Sequence, residues 1–249
     1  MRETLLIYLM RIPAILFAIS VHESAHAWVA YKLGDPTAKN AGRISLNPLR
    51  HLNPVGMIMM LLVGFGWASP VMINAGNFKK PKVGMAVSSL AGPLSNLLLG
   101  FIGAAGMMLT VQFGDPSLRI VQALVLFFNV FISLNVSLAV FNLIPVPPLD
   151  GSRILLLFLP ERIYFKIMRY EQYILIALIV LMVTNVITVP ISSISRVIIN
   201  GMFYLLSLPF YYFALTWQGG SRVSLLENFF VLAWAVVGFV AFRWLDRIF

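Results

Sequence analysis

Cysteine is absent from the 249 residues, which excludes disulfides and thiolate metal sites, so any metal must be held by His, Asp or Glu. Charge is scarce as well. Asp, Glu, Lys and Arg make up 11% of the chain and hydrophobic residues 60%, whereas soluble domains are about a quarter charged. An integral membrane protein is therefore indicated. Acidic residues are the scarcer sign, 9 against 18 basic, for a net charge of +9. The basic residues fall in short stretches between apolar runs, as membrane proteins place them, and no aromatic-interleaved basic patch marks a nucleic-acid partner. Low-complexity tracts and repeats of solenoid period are also lacking.

What is present is a series of long apolar runs. Six are long enough to cross a bilayer, at approximately 10–32, 83–111, 119–144, 172–190, 196–216 and 225–243. The expected fold is an all-α polytopic membrane protein of about six transmembrane helices. It forms a single integral membrane domain over 1–249, with a core over about 10–155 and additional transmembrane helices over 156–249. A seventh apolar piece, 55–66, would reach only about 18 Å as a helix, short of a hydrocarbon core of about 30 Å, and reads as re-entrant or interfacial. On either side of it, Gly42-Arg43-Ile44-Ser45-Leu46-Asn47-Pro48 and Trp67-Ala68-Ser69-Pro70-Val71-Met72-Ile73-Asn74 read either as short strands, the second confined to an edge by Pro70, or as ordinary cytoplasmic loop. With both termini outside, twelve of the eighteen basic residues are cytoplasmic, which is the orientation the positive-inside rule favours.

The chemistry is concentrated in His22-Glu23-Ser24-Ala25-His26, inside the apolar run 12–31. Two histidines four apart share a helix face and are spaced to hold zinc, while the adjacent Glu23 is placed to act as general base. Chance would produce this pattern about 0.0007 times in a chain so poor in His and Glu. Ionisable residues at membrane depth are costly, so they are functional candidates by default. In the expected orientation the motif lies in the cytoplasmic half of the first span.

Two histidines leave a catalytic zinc one protein ligand short. Most other carboxylates sit in expected loops or at span ends. Asp150 remains, in Phe141-Asn142-Leu143-Ile144-Pro145-Val146-Pro147-Pro148-Leu149-Asp150-Gly151, where three prolines preclude a continuous helix. Asp150 reads either as the third ligand or as the cap or turn residue opening a helix over 152–159, and the two roles are compatible. His51, the one histidine outside the motif, reads as a surface or interfacial residue before a gating or pH-sensing one, and Asn96 as packing between helices before a substrate contact.

Together these residues resemble the site-2 protease family of intramembrane zinc metalloproteases, in a short form without a PDZ or CBS domain. The likeness rests on Val21-His22-Glu23-Ser24-Ala25-His26-Ala27, on Gly34-Asp35-Pro36-Thr37-Ala38, on the stretch from Gly42 to Pro48, on Ala91-Gly92-Pro93-Leu94-Ser95-Asn96, and on Asn142 through Gly151. It covers residues 10 to about 155, and the later spans by hydropathy alone. Asn53 departs from it, standing where relatives often have aspartate.

The resemblance implies a Zn2+-dependent endopeptidase in which His22, His26 and Asp150 bind zinc and Glu23 activates water. Asn142 would position the peptide or stabilise the oxyanion. The partners it implies are a membrane-protein substrate with a transmembrane helix and the lipid bilayer of the cell membrane. Three rivals are weaker. A metal or proton transporter would carry polar residues in every span, whereas the last three have almost none. A prenyl-protein peptidase would usually use a glutamate as third ligand. A non-proteolytic scaffold would not need Glu23.

Overall fold

Small residues decide how the apolar runs meet. The computed structural model describes residues 2–51, 53, 69–155 and 157–216. The chain forms two compact units, 1–200 and 201–249. Among the described residues the α-helices are α1 (Arg2–Lys32), α2 (Thr37–Asn40), α3 (Pro81–Phe113), α4 (Arg119–Asn142), α5 (Asp150–Leu155), α6 (Glu161–Met168), α7 (Glu171–Val183) and α8 (Thr188–Thr216).

Three long helices form the core of the first unit. The facing surfaces of α1, α3 and α4 bury Ala14 and Ala18, then Gly92, Gly100, Gly103 and Ala104, then Ile132, Val136 and Ala139. Without a hydrophobic drive between helices in lipid, such close backbone approach supplies the van der Waals contact that holds them. A Cβ added at Gly103 would stand 2.9 Å from the Phe131 ring, so α3 and α4 could not approach so closely with a larger residue there. The outward faces carry Phe17, Leu94, Leu98, Ile102 and Ile120, which are exposed and apolar, as a lipid-facing surface requires.

Among the described residues four helices are long and apolar enough to cross a membrane: Leu9–Lys32, Pro81–Phe113, Arg119–Asn142 and Thr188–Leu208. The first three coincide with the expected spans. The fourth expected span, 172–190, instead contains a 13-residue helix, Glu171–Val183, which reaches about 20 Å. It stops because the Thr184 hydroxyl turns back to the Val180 carbonyl at 2.9 Å and Asn185 takes up a left-handed φ of 62°. The helix resumes at Thr188, so the next span begins before the expected 196. The sixth expected span, 225–243, and the piece 55–66 lie outside the described residues.

The two expected strands are a correction, since no strand forms among the described residues. Over 42–48 the backbone bonds to side chains and to tight turns rather than to a neighbouring strand. Ser24 Oγ donates to the Ser45 carbonyl at 2.5 Å, and Asn47 caps the 3₁₀ turn Pro48–Arg50. Residues 69–74 are irregular, and they too are bonded largely to side chains, Val71 N–H to Glu23 and Asn74 N–H to Asp35.

Candidate metal centre

The motif helix α1 brings His22 and His26 to one side, as a four-residue spacing must, with their rings edge to face at 4.6 Å between centroids. Opposite them stands α3, and the approach is possible because residue 92 has no side chain. A Cβ there would lie 2.3 Å from His26 Nε2 and 2.6 Å from His22 Nε2. Asp150 arrives from the first turn of α5. Gly151 makes that arrival possible, since a Cβ on it would stand 2.3 Å from the Leu143 carbonyl oxygen and 2.5 Å from that of Ile144. The proline-rich turn thus folds the start of α5 tightly against the end of α4.

The result is a closed triangle of lone pairs. His22 Nε2 is 3.1 Å and His26 Nε2 3.2 Å from Asp150 Oδ2, and the two Nε2 atoms are 3.0 Å apart. One ligand atom from each of the three residues can be chosen so that all lie within 4.8 Å of one another. Both histidines are buried.

Which ring nitrogens carry protons follows from their partners. His26 Nδ1 is 2.7 Å from the Ser88 carbonyl oxygen, so it must donate. His22 Nδ1 is 2.5 Å from Asn96 Oδ1. That amide is held in this sense because Asn96 Nδ2 donates to Asn135 Oδ1 at 2.9 Å and to the Ala18 carbonyl at 3.3 Å. Asn135 is fixed in turn by its own Nδ2, which donates to the Phe131 carbonyl at 2.9 Å. Both imidazoles therefore turn unprotonated Nε2 atoms toward a carboxylate oxygen, three acceptors with no donor among them. A cation satisfies that arrangement, and two nitrogens with one oxygen are a suitable donor set for catalytic zinc, leaving a coordination position open. The Nδ1 partners are the outer hydrogen bonds that orient ligating histidines.

Glu23 sits beside His22 and is half-buried, with its Oε2 accepting the Val71 N–H at 3.1 Å. Asn142 ends α4 and donates from Nδ2 to the Leu138 carbonyl at 3.0 Å; among the described residues no hydrogen bond joins it to the cluster. His51 is fully buried rather than at the surface. The reason is local: its Nε2–H donates to the Ser45 carbonyl at 2.7 Å, beneath the loop that covers Ser24. Asn96, expected only to pack helices, also orients His22.

The model of peptidase family M50 matches residues 105–185, a stretch that contains Asn142 and Asp150 but not the α1 motif. The chain is similar to YwhC of Bacillus subtilis strain 168, named as a candidate zinc metalloprotease, with 45% identity over 171 residues covering 68% of this chain and 78% of that protein. The chain belongs to peptidase family M50, the site-2 proteases. Rip2 of Mycolicibacterium smegmatis and of Mycobacterium tuberculosis, also named as candidate zinc metalloproteases, are 28% and 29% identical and share 58% of this chain. The matched part spans just over half of those two proteins, 55%. No solved structure matches. As an M50 peptidase the protein is a zinc metalloprotease, and its apolar helices make it a membrane protein.

Three contributors to the centre were not singled out for these roles from the sequence: Gly92, Asn96 and Asn135. A signal was there. Asn96 and Asn135 stand in mid-span, where an amide is costly unless it finds a partner, and Gly92 lies one helical turn from Asn96.

Proposed function

We propose that this M50 peptidase cuts membrane-spanning segments of other membrane proteins within the bilayer, with His22, His26 and Asp150 holding the zinc and Glu23 serving as general base. The observation that carries the reading is the convergence of three acceptor atoms, His22 Nε2, His26 Nε2 and Asp150 Oδ2, among helices long enough to span a membrane. Zinc bound there supplies Lewis acidity, which lowers the pKa of water to about 7 and polarises a peptide carbonyl. Glu23, one residue from His22, takes the proton from water at its carboxylate and passes it to the leaving amine nitrogen. Asn142 keeps one amide hydrogen beyond the bond to Leu138, and that hydrogen is the donor offered to the developing oxyanion or to the peptide backbone.

The substrate is a transmembrane helix that must unwind locally, because its carbonyls are otherwise occupied in helical hydrogen bonds; helix-weakening residues near the cut favour this. Orientation in the cell membrane is N-terminus and C-terminus outside, with the site in the cytoplasmic half. Exposed Trp28 and Tyr31, lying near the Lys32 and Lys39 ammonium groups at 5.7 Å and 4.0 Å from their ring centres, suit a membrane–water interface within about a turn and a half of His26.

The test compares the membrane proteomes of a deletion strain carrying the wild type or Glu23→Gln. Single-span proteins should release a fragment only with the wild type, while purified Glu23→Gln keeps its zinc. Cleavage at the wild-type rate by purified Glu23→Gln would remove Glu23 from the mechanism.

A further inference from the structure

Residues 69–74 run along the motif helix and are fastened at one end to the backbone of His51 and at the other to the Asp35 carboxylate, groups that the reaction itself does not use. Their middle is the Val71 N–H bond to Glu23 Oε2, 3.1 Å. At one end the Ser69 N–H donates to the His51 carbonyl at 2.8 Å. The His51 ring donates through Nε2 to the Ser45 carbonyl at 2.7 Å, and that same oxygen receives the hydroxyl of Ser24, the residue next to Glu23. At the other end the Asn74 N–H donates to Asp35 Oδ2 at 2.7 Å. Asp35, just past the end of α1, is fully buried, and its Oδ1 accepts from Thr37 N, Thr37 Oγ1 and Asn77 Nδ2 at 3.1, 2.5 and 2.7 Å. Between these ends the Val71 side chain is buried against Ala27 and Ala38, with Ile73 packed on the same cluster.

From this closed circuit we infer that the segment 69–74 is the device that aims the Glu23 carboxylate, and that His51 and Asp35 are its positioning residues. A glutamate on a helix has three freely turning side-chain bonds, and a general base misplaced by about 1 Å can lose about a hundredfold in rate. Among the described residues the bond from Val71 is the one that Glu23 accepts, and it occupies one oxygen lone pair, leaving Oε1 to receive a proton. A backbone N–H can hold such an aim only if its own segment is fixed, and here one fixing returns to α1 through Ser24 and the other to Asp35, three residues past the end of α1. Neither His51 nor Asp35 bonds to His22, His26 or Asp150, so they act on the reaction through Glu23 alone. The inference rests on the general-base reading of Glu23 given above.

The test uses the full chain in liposomes with a fluorescently tagged polyleucine span carrying a central Asn-Gly pair. Val71→Pro deletes the donor, His51→Leu deletes one clamp while His51→Gln keeps an N–H able to reach Ser45, and Asp35→Ala deletes the other clamp. Zinc content, kcat and KM are read for each, with hydrogen exchange over 69–74. The expected result for Val71→Pro, His51→Leu and Asp35→Ala is a kcat lowered about tenfold or more, with zinc full and KM within about twofold. Exchange over 69–74 should be faster in both clamp variants, and His51→Gln should recover most of the rate. Wild-type kcat in zinc-replete Val71→Pro and His51→Leu, beside an inactive Glu23→Gln, would overturn the aiming role and leave the general base standing. Should Val71→Pro lose its zinc, the split between His51→Leu and His51→Gln decides alone: equal rates refute the role. A Glu23→Gln variant as fast as the wild type would instead refute the reading underneath.

Discussion

Gly92 shows how a single missing side chain makes room for chemistry. With a Cβ position 2.3 Å from His26 Nε2 and 2.6 Å from His22 Nε2, alanine would occupy the volume in which a cation meets the two nitrogens. Gly92→Ala is therefore expected to abolish stoichiometric zinc, measured by elemental analysis of the purified protein, although alanine suits a helix better than glycine. Asn96 works one bond further out. Asn96→Leu removes the acceptor for His22 Nδ1 and strands Asn135 Oδ1, and outer hydrogen bonds of this kind are worth about 10- to 100-fold in metal affinity. Competition with a calibrated chelator should show a loss in that range; an unchanged affinity would mean that His22 is held by packing alone. Asp35 titrates with a definite sign. Burial pushes its pKa up, but the hydrogen bonds from Thr37, Asn77 and the Asn74 N–H outweigh this and hold it below 3.8. A depressed folded pKa stabilises above the unfolded value and is lost as pH falls through the folded one. The protection of the Asn74 amide, corrected for intrinsic exchange, should thus stay level from neutral pH down to about pH 4 and collapse below it.

Among the elements, the join between α4 and α5 carries the most strain-sensitive geometry. The spacing from Asn142 to Asp150 matters less than the glycine that follows, because Gly151 lets the first turn of α5 lie against the Leu143 and Ile144 carbonyls. Gly151→Ala should push α5 outward, move the Asp150 carboxylate away from the imidazoles and lower zinc occupancy, while α1, α3 and α4 keep their packing. Circular dichroism near the wild type with lost metal is the expected pair of readings. At α7 the lesson is different. Apolar composition ran on through 172–190, yet Thr184 and Asn185 broke the helix by offering the backbone local alternatives.

For the whole molecule, orientation is the property that links structure to biology. Crossing by α1, α3 and α4 in turn would return the Asp150 turn to the side where α1 ends, which fits the meeting of Asp150 with the two histidines. The natural lack of cysteine makes the sidedness directly measurable. Lys79→Cys should be labelled by an impermeant thiol reagent only from the cytoplasmic side, and Ser117→Cys only from outside. The reverse pattern would place the site in the outer half.

The pairing of His22 with His26 was legible because a helix converts a four-residue spacing into a shared face without help from the rest of the chain. The apolar runs were legible for a similar reason, since lipid demands length and composition that few other folds need. Asp150 was legible as a candidate through the shortage of carboxylates, but its meeting with the histidines at 3.1 and 3.2 Å depended on how three helices cross and how a proline-rich turn closes. Asn96, Gly92, Asp35 and His51 took their roles from tertiary contact alone. Each acts on a residue between 27 and 74 positions away or on a distant backbone segment, and no local periodicity encodes such a pairing.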